Sequence, residues 1–208
     1  SIATNAKVVQ APTAADKECL ARAMYFESNR SDDDGLLAVG TVVMNRLDAP
    51  AYPGRICEVV GQKRQFANGV LTKPVREQDR PRLEKVADAL LSGKRHDGVG
   101  PALHFHTAGY KFPYNNMHYV VAAGGNVFYE KSDREGYLPA VQPRAVVQTA
   151  SGRLMPLQVA ATNSGMIGLP LTGRVQPTLT AEYTAPTAPE LRVPGPARYA
   201  SAPGRDRN

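Results

Sequence analysis

Glu27 is the residue whose position most constrains the chemistry of this chain. Leu20, Ala23, Met24 and Glu27 follow one another at i, i+3, i+4 and i+7, so a carboxylate shares a helix face with three apolar side chains. It also falls near the end of that helix. Partial withdrawal from water penalises the ionised form, and the negative end of the helix dipole adds to the penalty, so both effects raise the pKa. A carboxylic acid that keeps its proton near neutral pH can protonate a leaving oxygen, as general-acid cleavage of a glycosidic bond requires. The bland alternative is that Glu27 is the polar end of the stripe and points to water.

Other reactive types are fewer. Asp32, Asp33 and Asp34 could supply a second carboxylate, but three acids in a row also suit the start of a helix, where they favour cap and dipole. His104 and His106 alternate on a strand-like run and so face one side, as lining of a ligand cleft, as structural hydrogen bonders, or as two metal ligands. A metal would need a third ligand from His96, His118 or an Asp, and no H-E-x-x-H spacing supports it. No metal or other cofactor is therefore expected. Cys19 and Cys57 lie on the first helix and just after a long buried one; a disulfide fits them better than a nucleophile or two free thiols. Closing that loop contributes about 4 kcal/mol in the chain-entropy model. It implies an oxidising compartment, periplasmic or extracellular.

The elements that must position these groups read as helices first and strands later. A helix is expected from an Asp16 cap to about Ser28. A second, apolar nearly all round, carries Leu36, Gly40, Val43 and Leu47 on one face and ends at Asn45-Arg46. Pro53-Gly54 turns into a short segment over 56–60, and Asp79-Arg80-Pro81 opens a third helix stopped by Gly93. Alternation over 102–107 and 126–130 predicts two strands. The expected fold class is α+β with a small antiparallel sheet.

With 208 residues, the chain is of a size for one domain plus an appendage. Ten of its 17 prolines lie at or after Pro139, where only Tyr183 and Tyr199 remain of its aromatic residues. The boundaries this suggests are a flexible leader over 1–14, a folded unit over 15–137 and a Pro/Arg-rich, largely disordered tail over 138–208, with 146–171 able to add a strand. The net charge is +6, and +4 of it falls after residue 139, where seven Arg face three acids. That balance suits an anionic wall polymer or a protein partner for the tail; without a groove-reading motif it does not indicate nucleic acid. No run is apolar enough for a transmembrane helix, and a signal peptide removed before Ser1 is expected.

The run CLARAMYFESNRSDDDGLLAVGTVVMNRL resembles the SleB/CwlJ-type cell-wall hydrolase family at Tyr25, Glu27, Gly35, Ala38, Val39, Val42, Asn45 and Arg46. Further matches follow in order: Tyr52-Pro53 to Val60, Gln65-Phe66, the stretch from Ala102 to His106, and Phe128-Tyr129. The resemblance spans residues 18–130. It implies a lysozyme-like, peptidoglycan-cleaving domain whose target is the bond between N-acetylmuramic acid and N-acetylglucosamine. It assigns Glu27 as acid/base. Gln65, Phe66, His104, His106, Tyr129 and Asn45 become candidate substrate contacts, with core packing as the competing role for the rings. Asn45 would hydrogen-bond backbone near Glu27 or touch the sugar.

A lytic transglycosylase manages with one carboxyl. A hydrolase needs a second, about 5 Å away if retaining and roughly 6.5–9.5 Å if inverting. The lone well-placed Glu favours the transglycosylase. Three departures from the family pattern stand out: Ser31 for a second Glu, Phe112-Pro113-Tyr114 for Pro-x-Trp, and Gly125-Asn126 for Gly-His. Two rivals follow, a zinc-dependent N-acetylmuramoyl-L-alanine amidase built on the histidines and a catalytically degenerate wall-binding module.

Overall fold

The computed structural model describes residues 5–29 and 32–157. Its elements run β1 (Val8–Val9), α1 (Ala14–Glu27), α2 (Asp33–Asp48), α3 (Ile56–Val60), α4 (Arg80–Leu91), β2 (His104–Thr107), β3 (Met117–Ala123), β4 (Asn126–Lys131), β5 (Val146–Gln148) and β6 (Leu154–Pro156). The class is α+β, helices before the antiparallel sheet, as the sequence pattern indicates.

Helix α1 begins two residues before Asp16, not after it. Thr13 is the N-cap: its hydroxyl accepts from the Asp16 backbone N–H, and the Asp16 carboxylate accepts from the Thr13 N–H at 3.0 Å. This reciprocal pair satisfies two backbone donors and places Asp16 at the third helical position. Asp16 is 2% exposed and also accepts from the Cys57 N–H and from Arg55. Burial alone would raise its pKa; the hydrogen bonds from Thr13 and Cys57 and the Arg55 charge outweigh that and hold it below the usual value. The Cys19–Cys57 disulfide ties the same corner, α1 to α3, across 38 residues.

Helix α2 is the central element. Leu36, Val39, Val42, Val43, Met44 and Leu47 are all 1% exposed or less. Each such side chain contributes roughly 1.5–3 kcal/mol relative to exposure. One face of α2 packs with α1, α3 and α4 around Leu20, Met24, Val59, Leu83 and Leu90. The other, through Ala38, Val39 and Val42, packs on Ala123 and Phe128 of the sheet.

That sheet has the order β2-β4-β3, fully antiparallel. Strand β3 is not legible in the sequence because its second half, Val-Val-Ala-Ala, does not alternate; a register shift between Tyr119 and Val121 absorbs the irregularity. The β3–β4 turn is Gly124-Gly125, both with positive φ. Gly124 presses against α2: a Cβ on Gly35 would stand 2.4 Å from the Gly124 Cα.

A second sheet, β1-β5-β6, corrects the expected boundaries. Val8 and Val9 pair in parallel with Val146 and Val147, so the segment expected as a leader is stitched to the segment expected as a tail. Lys7 reinforces this, its Nζ donating to the carbonyls of Ala49, Tyr52 and Pro53 at 2.6–3.0 Å. Val9, Ala145, Val147 and Leu157 join the main core. The composition shift at Pro139 misplaced the boundary because so few apolar residues are needed to extend a core by two short strands. The rest of the expected tail, 158–208, lies outside the described residues. No helix among the described residues is long and apolar enough to cross a membrane.

Candidate active site

Glu27 is the last residue of α1, and three segments converge on it. Ser28 ends the helix in extended conformation, and its N–H and hydroxyl both donate to the Met24 carbonyl, at 3.2 and 2.8 Å. The backbone carbonyl of Glu27 accepts from Asn126 Nδ2 at 2.6 Å, which ties the helix end to β4. Asn29 donates to the Gly124 carbonyl at 2.9 Å, so the β3–β4 turn also holds the chain just after the carboxyl-bearing residue. On the side-chain side, the Ala67 N–H donates to Glu27 Oε1.

The electrostatics of this carboxyl are balanced. Burial raises its pKa; the Ala67 N–H and the nearby Arg46 guanidinium pull it back, and the net result is a raised value. Arg46 is 3% exposed and fixed by its surroundings. Its Nε donates to the Leu103 carbonyl at 2.9 Å, and its guanidinium lies 5.4 Å from the Tyr52 ring and 5.2 Å from the Phe66 ring. Its Nη1 is buried with no hydrogen-bond partner among the described residues. Here a cation sandwiched between aromatic faces offsets the burial of a neighbouring acid.

The candidate second carboxylates are engaged elsewhere. Asp32 caps α2 through the Asp34 N–H, Asp33 pairs with Arg82, and Asp34 meets His96 at 3.0 Å. Asp32 thus takes the cap role that three acids at a helix start suggest, while Asp33 and Asp34 pair with basic side chains of other segments. Ser31, the position of the departed second Glu, lies outside the described residues.

The proposed substrate contacts divide. Gln65 is exposed on the turn that carries Ala67 to Glu27, while the Phe66 ring is 9% exposed and packs beneath Arg46. His104 stacks on Tyr129 at 5.3 Å, and His106 hydrogen-bonds the Tyr119 hydroxyl at 2.9 Å. Burial, helped by Lys131 and Arg46, lowers the His104 pKa to about 4, so this ring is neutral at physiological pH. Of the two roles expected of Asn45, the bond to backbone near Glu27 is not formed. Its amide donates to the carbonyls of Gly100 and Ala102 at 2.8 and 2.9 Å, so it braces the loop leading into β2 instead of backbone near Glu27. Asn126 does that work. In the sequence Asn126 stands only as a departure from the family pattern; an amide one residue past a Gly-Gly turn is the available signal. Among the described residues, no three His, Cys, Asp or Glu side chains gather as a metal site.

A cavity of about 490 Å³ lies past the C-terminal end of α2, between Asn45, Tyr52, Arg95, His104 and the strap from Pro139 to Gln142. Glu27 does not line it. Tyr52 links the two regions, with one place in the cavity wall and another against Arg46.

The model of the Cell Wall Hydrolase family matches residues 30–129, just under half of the chain. That segment is similar to the Cell Wall Hydrolase family. The match starts three residues after Glu27 and takes in Arg46, Phe66, His104, His106 and Asn126. No curated protein matches the chain significantly. Among solved structures, the chain is similar to the catalytic domain of the germination-specific lytic transglycosylase SleB from Bacillus anthracis. The identity is 22%, covering 57% of this chain and 96% of that one, with a TM-score of 0.47. The catalytic domain of Bacillus cereus SleB gives 20% identity, 59% and 95% coverage, and a TM-score of 0.48.

Proposed function

We propose that this chain is a peptidoglycan lytic transglycosylase with Glu27 as its single acid/base. The observation that carries the reading is one half-buried carboxyl of raised pKa, held at main chain and side chain, while the neighbouring acids are committed to caps and ion pairs.

In the first step, protonated Glu27 gives its proton to the glycosidic oxygen between N-acetylmuramic acid and N-acetylglucosamine as the C1–O bond breaks. The positive charge of Arg46 stabilises the carboxylate that remains. In the second step, the muramoyl C6 oxygen bonds to C1 and its proton passes to the carboxylate. The products are a 1,6-anhydro-muramoyl end and an N-acetylglucosamine end, and Glu27 is again protonated. Burial favours the acid that starts the cycle, and Arg46 favours the base that closes it, so neither form is out of reach.

The work of such an enzyme lies in the cell envelope, and the disulfide suits an oxidising periplasmic or extracellular space. Purified peptidoglycan incubated with the chain should release soluble muropeptides, and Glu27→Gln should slow release by at least ~10²–10⁴-fold. An equally active Glu27→Gln protein would remove Glu27 from the mechanism. Release of free stem peptides, abolished by a chelator, would shift the chemistry to the zinc amidase. Wall binding without release would leave the binding module.

A further inference from the structure

The three-stranded sheet has two unlike faces. Register pairs Phe105 with Phe128, and these point into the α2 core. The same register puts His104, Tyr129 and Tyr119 side by side on the opposite face, with His106 next along β2. From there the β2–β3 connection folds back and lays Phe112 against His106 at 4.7 Å, with Tyr114 stacked on Phe112 at 6.2 Å. The rings form a connected track whose steps are 4.7–6.2 Å. Exposure rises along it: Tyr129 is 7% exposed, Phe112 42% and Tyr114 63%. The inner end stands by Arg46, whose Nε donates to the carbonyl of Leu103, next to His104, and whose guanidinium lies on Phe66, next to the Ala67 N–H that donates to Glu27.

We propose that this track is the platform for the glycan strand on one side of the scissile bond. The inference rests on the reading of Glu27 as a glycan-cutting acid. Pyranose rings present faces of C–H bonds with slight positive charge, and these suit the negative faces of aromatic rings. The tyrosine hydroxyls and the histidine edges supply donors and acceptors for the hydroxyl and acetamido groups at the sugar rim. An aliphatic patch would suit a protein partner better; this one consists of rings with polar edges. An exposed contiguous patch of aromatics on a chain otherwise well packed calls for an occupant. Continuity with the acid makes the polymer that the acid cuts the one that fits. Tyr114 and Phe112 are then specificity residues for strand length, while Asn126 anchors the same strand, β4, to Glu27.

The test uses the full chain carrying Glu27→Gln, so that bound strands are not cut, and peptide-free glycan strands of graded length as the probe. Phe112→Ala and Tyr114→Ala, both at exposed positions, should each weaken binding of long strands about 3- to 10-fold. They should leave the affinity for the shortest strands and the melting temperature unchanged, and added salt should matter little. Unchanged affinity for long strands in both variants would overturn the proposal, as would binding that requires stem peptides or vanishes with salt. Failure of the catalytic reading is separable. If wild type does not cut glycan, Glu27 is at fault; if it cuts while these rings prove indifferent, only the track is.

Discussion

Gly35 and Gly124 meet backbone to backbone, and the contact predicts a substitution whose two effects oppose each other. Gly35 is the third residue of α2, so Gly35→Ala improves helix propensity by up to about 1 kcal/mol. Its new Cβ would stand 2.4 Å from the Gly124 Cα and 3.1 Å from the Gly124 N. Both are backbone atoms of a turn and cannot rotate away. Overpacking of this kind costs about 1–3 kcal/mol, with the upper half of that range expected where neither side can yield. The clash therefore wins, leaving a net loss of roughly 1–2 kcal/mol, or a melting temperature lower by about 2–8 °C in a chain of this size. Displacing the turn also strains the Asn29–Gly124 bond and the Asn126 contact to Glu27, so activity should fall more than stability alone explains. Thermal unfolding by circular dichroism, with the disulfide intact, measures the effect. Gly54→Ala, where an added Cβ meets nothing within 4 Å, is the control and should change little. A Gly35→Ala melting temperature at or above wild type would refute the close-approach argument.

Two further outcomes follow from the same structure. Reducing the Cys19–Cys57 bond, which closes a separation of 38 residues, should cost about 4 kcal/mol by loop entropy, read as a shift in the urea midpoint with and without reductant; an unchanged midpoint contradicts that account. Glu27→Gln should stabilise the fold at neutral pH. Burial raises the Glu27 pKa, so the folded state holds the proton more tightly than the unfolded chain. Stability from this group is full below the ordinary carboxylate pKa and is lost as pH rises through the folded value. The advantage of Glu27→Gln over wild type should thus shrink as pH falls through that window; a constant difference would mean the carboxyl is not perturbed.

How much of this was legible in the sequence depends on how local the signal was. The spacing of Leu20, Ala23, Met24 and Glu27 exposed the acid on an apolar stripe, and α2 announced itself by apolar residues on nearly every face. The disulfide followed from where the two cysteines fell. The helix start was misjudged by three residues because Thr13 and Asp16 act as a pair, and one residue alone looked like a cap. Asn126, Arg46 and the Ala67 N–H were invisible in their roles, since each reaches Glu27 from 19 to 99 positions away in the chain. Position in the sequence carries no trace of such contacts. A strand within 146–171 is legible in its apolar pieces, but β1 and its pairing with β5 are not: two valines on each side, 138 residues apart, satisfy one another only once the core has brought them together.

The central claim is that Glu27 alone turns the glycan bond into an anhydro end. Mass spectrometry of the fragments released from purified peptidoglycan by the wild-type chain, and by Glu27→Gln, tests it most directly. Muramoyl ends lacking one water, present with wild type and absent with Glu27→Gln, are the predicted result. Fully hydrated, reducing muramoyl ends would contradict it, because they require a water and a second group to position it.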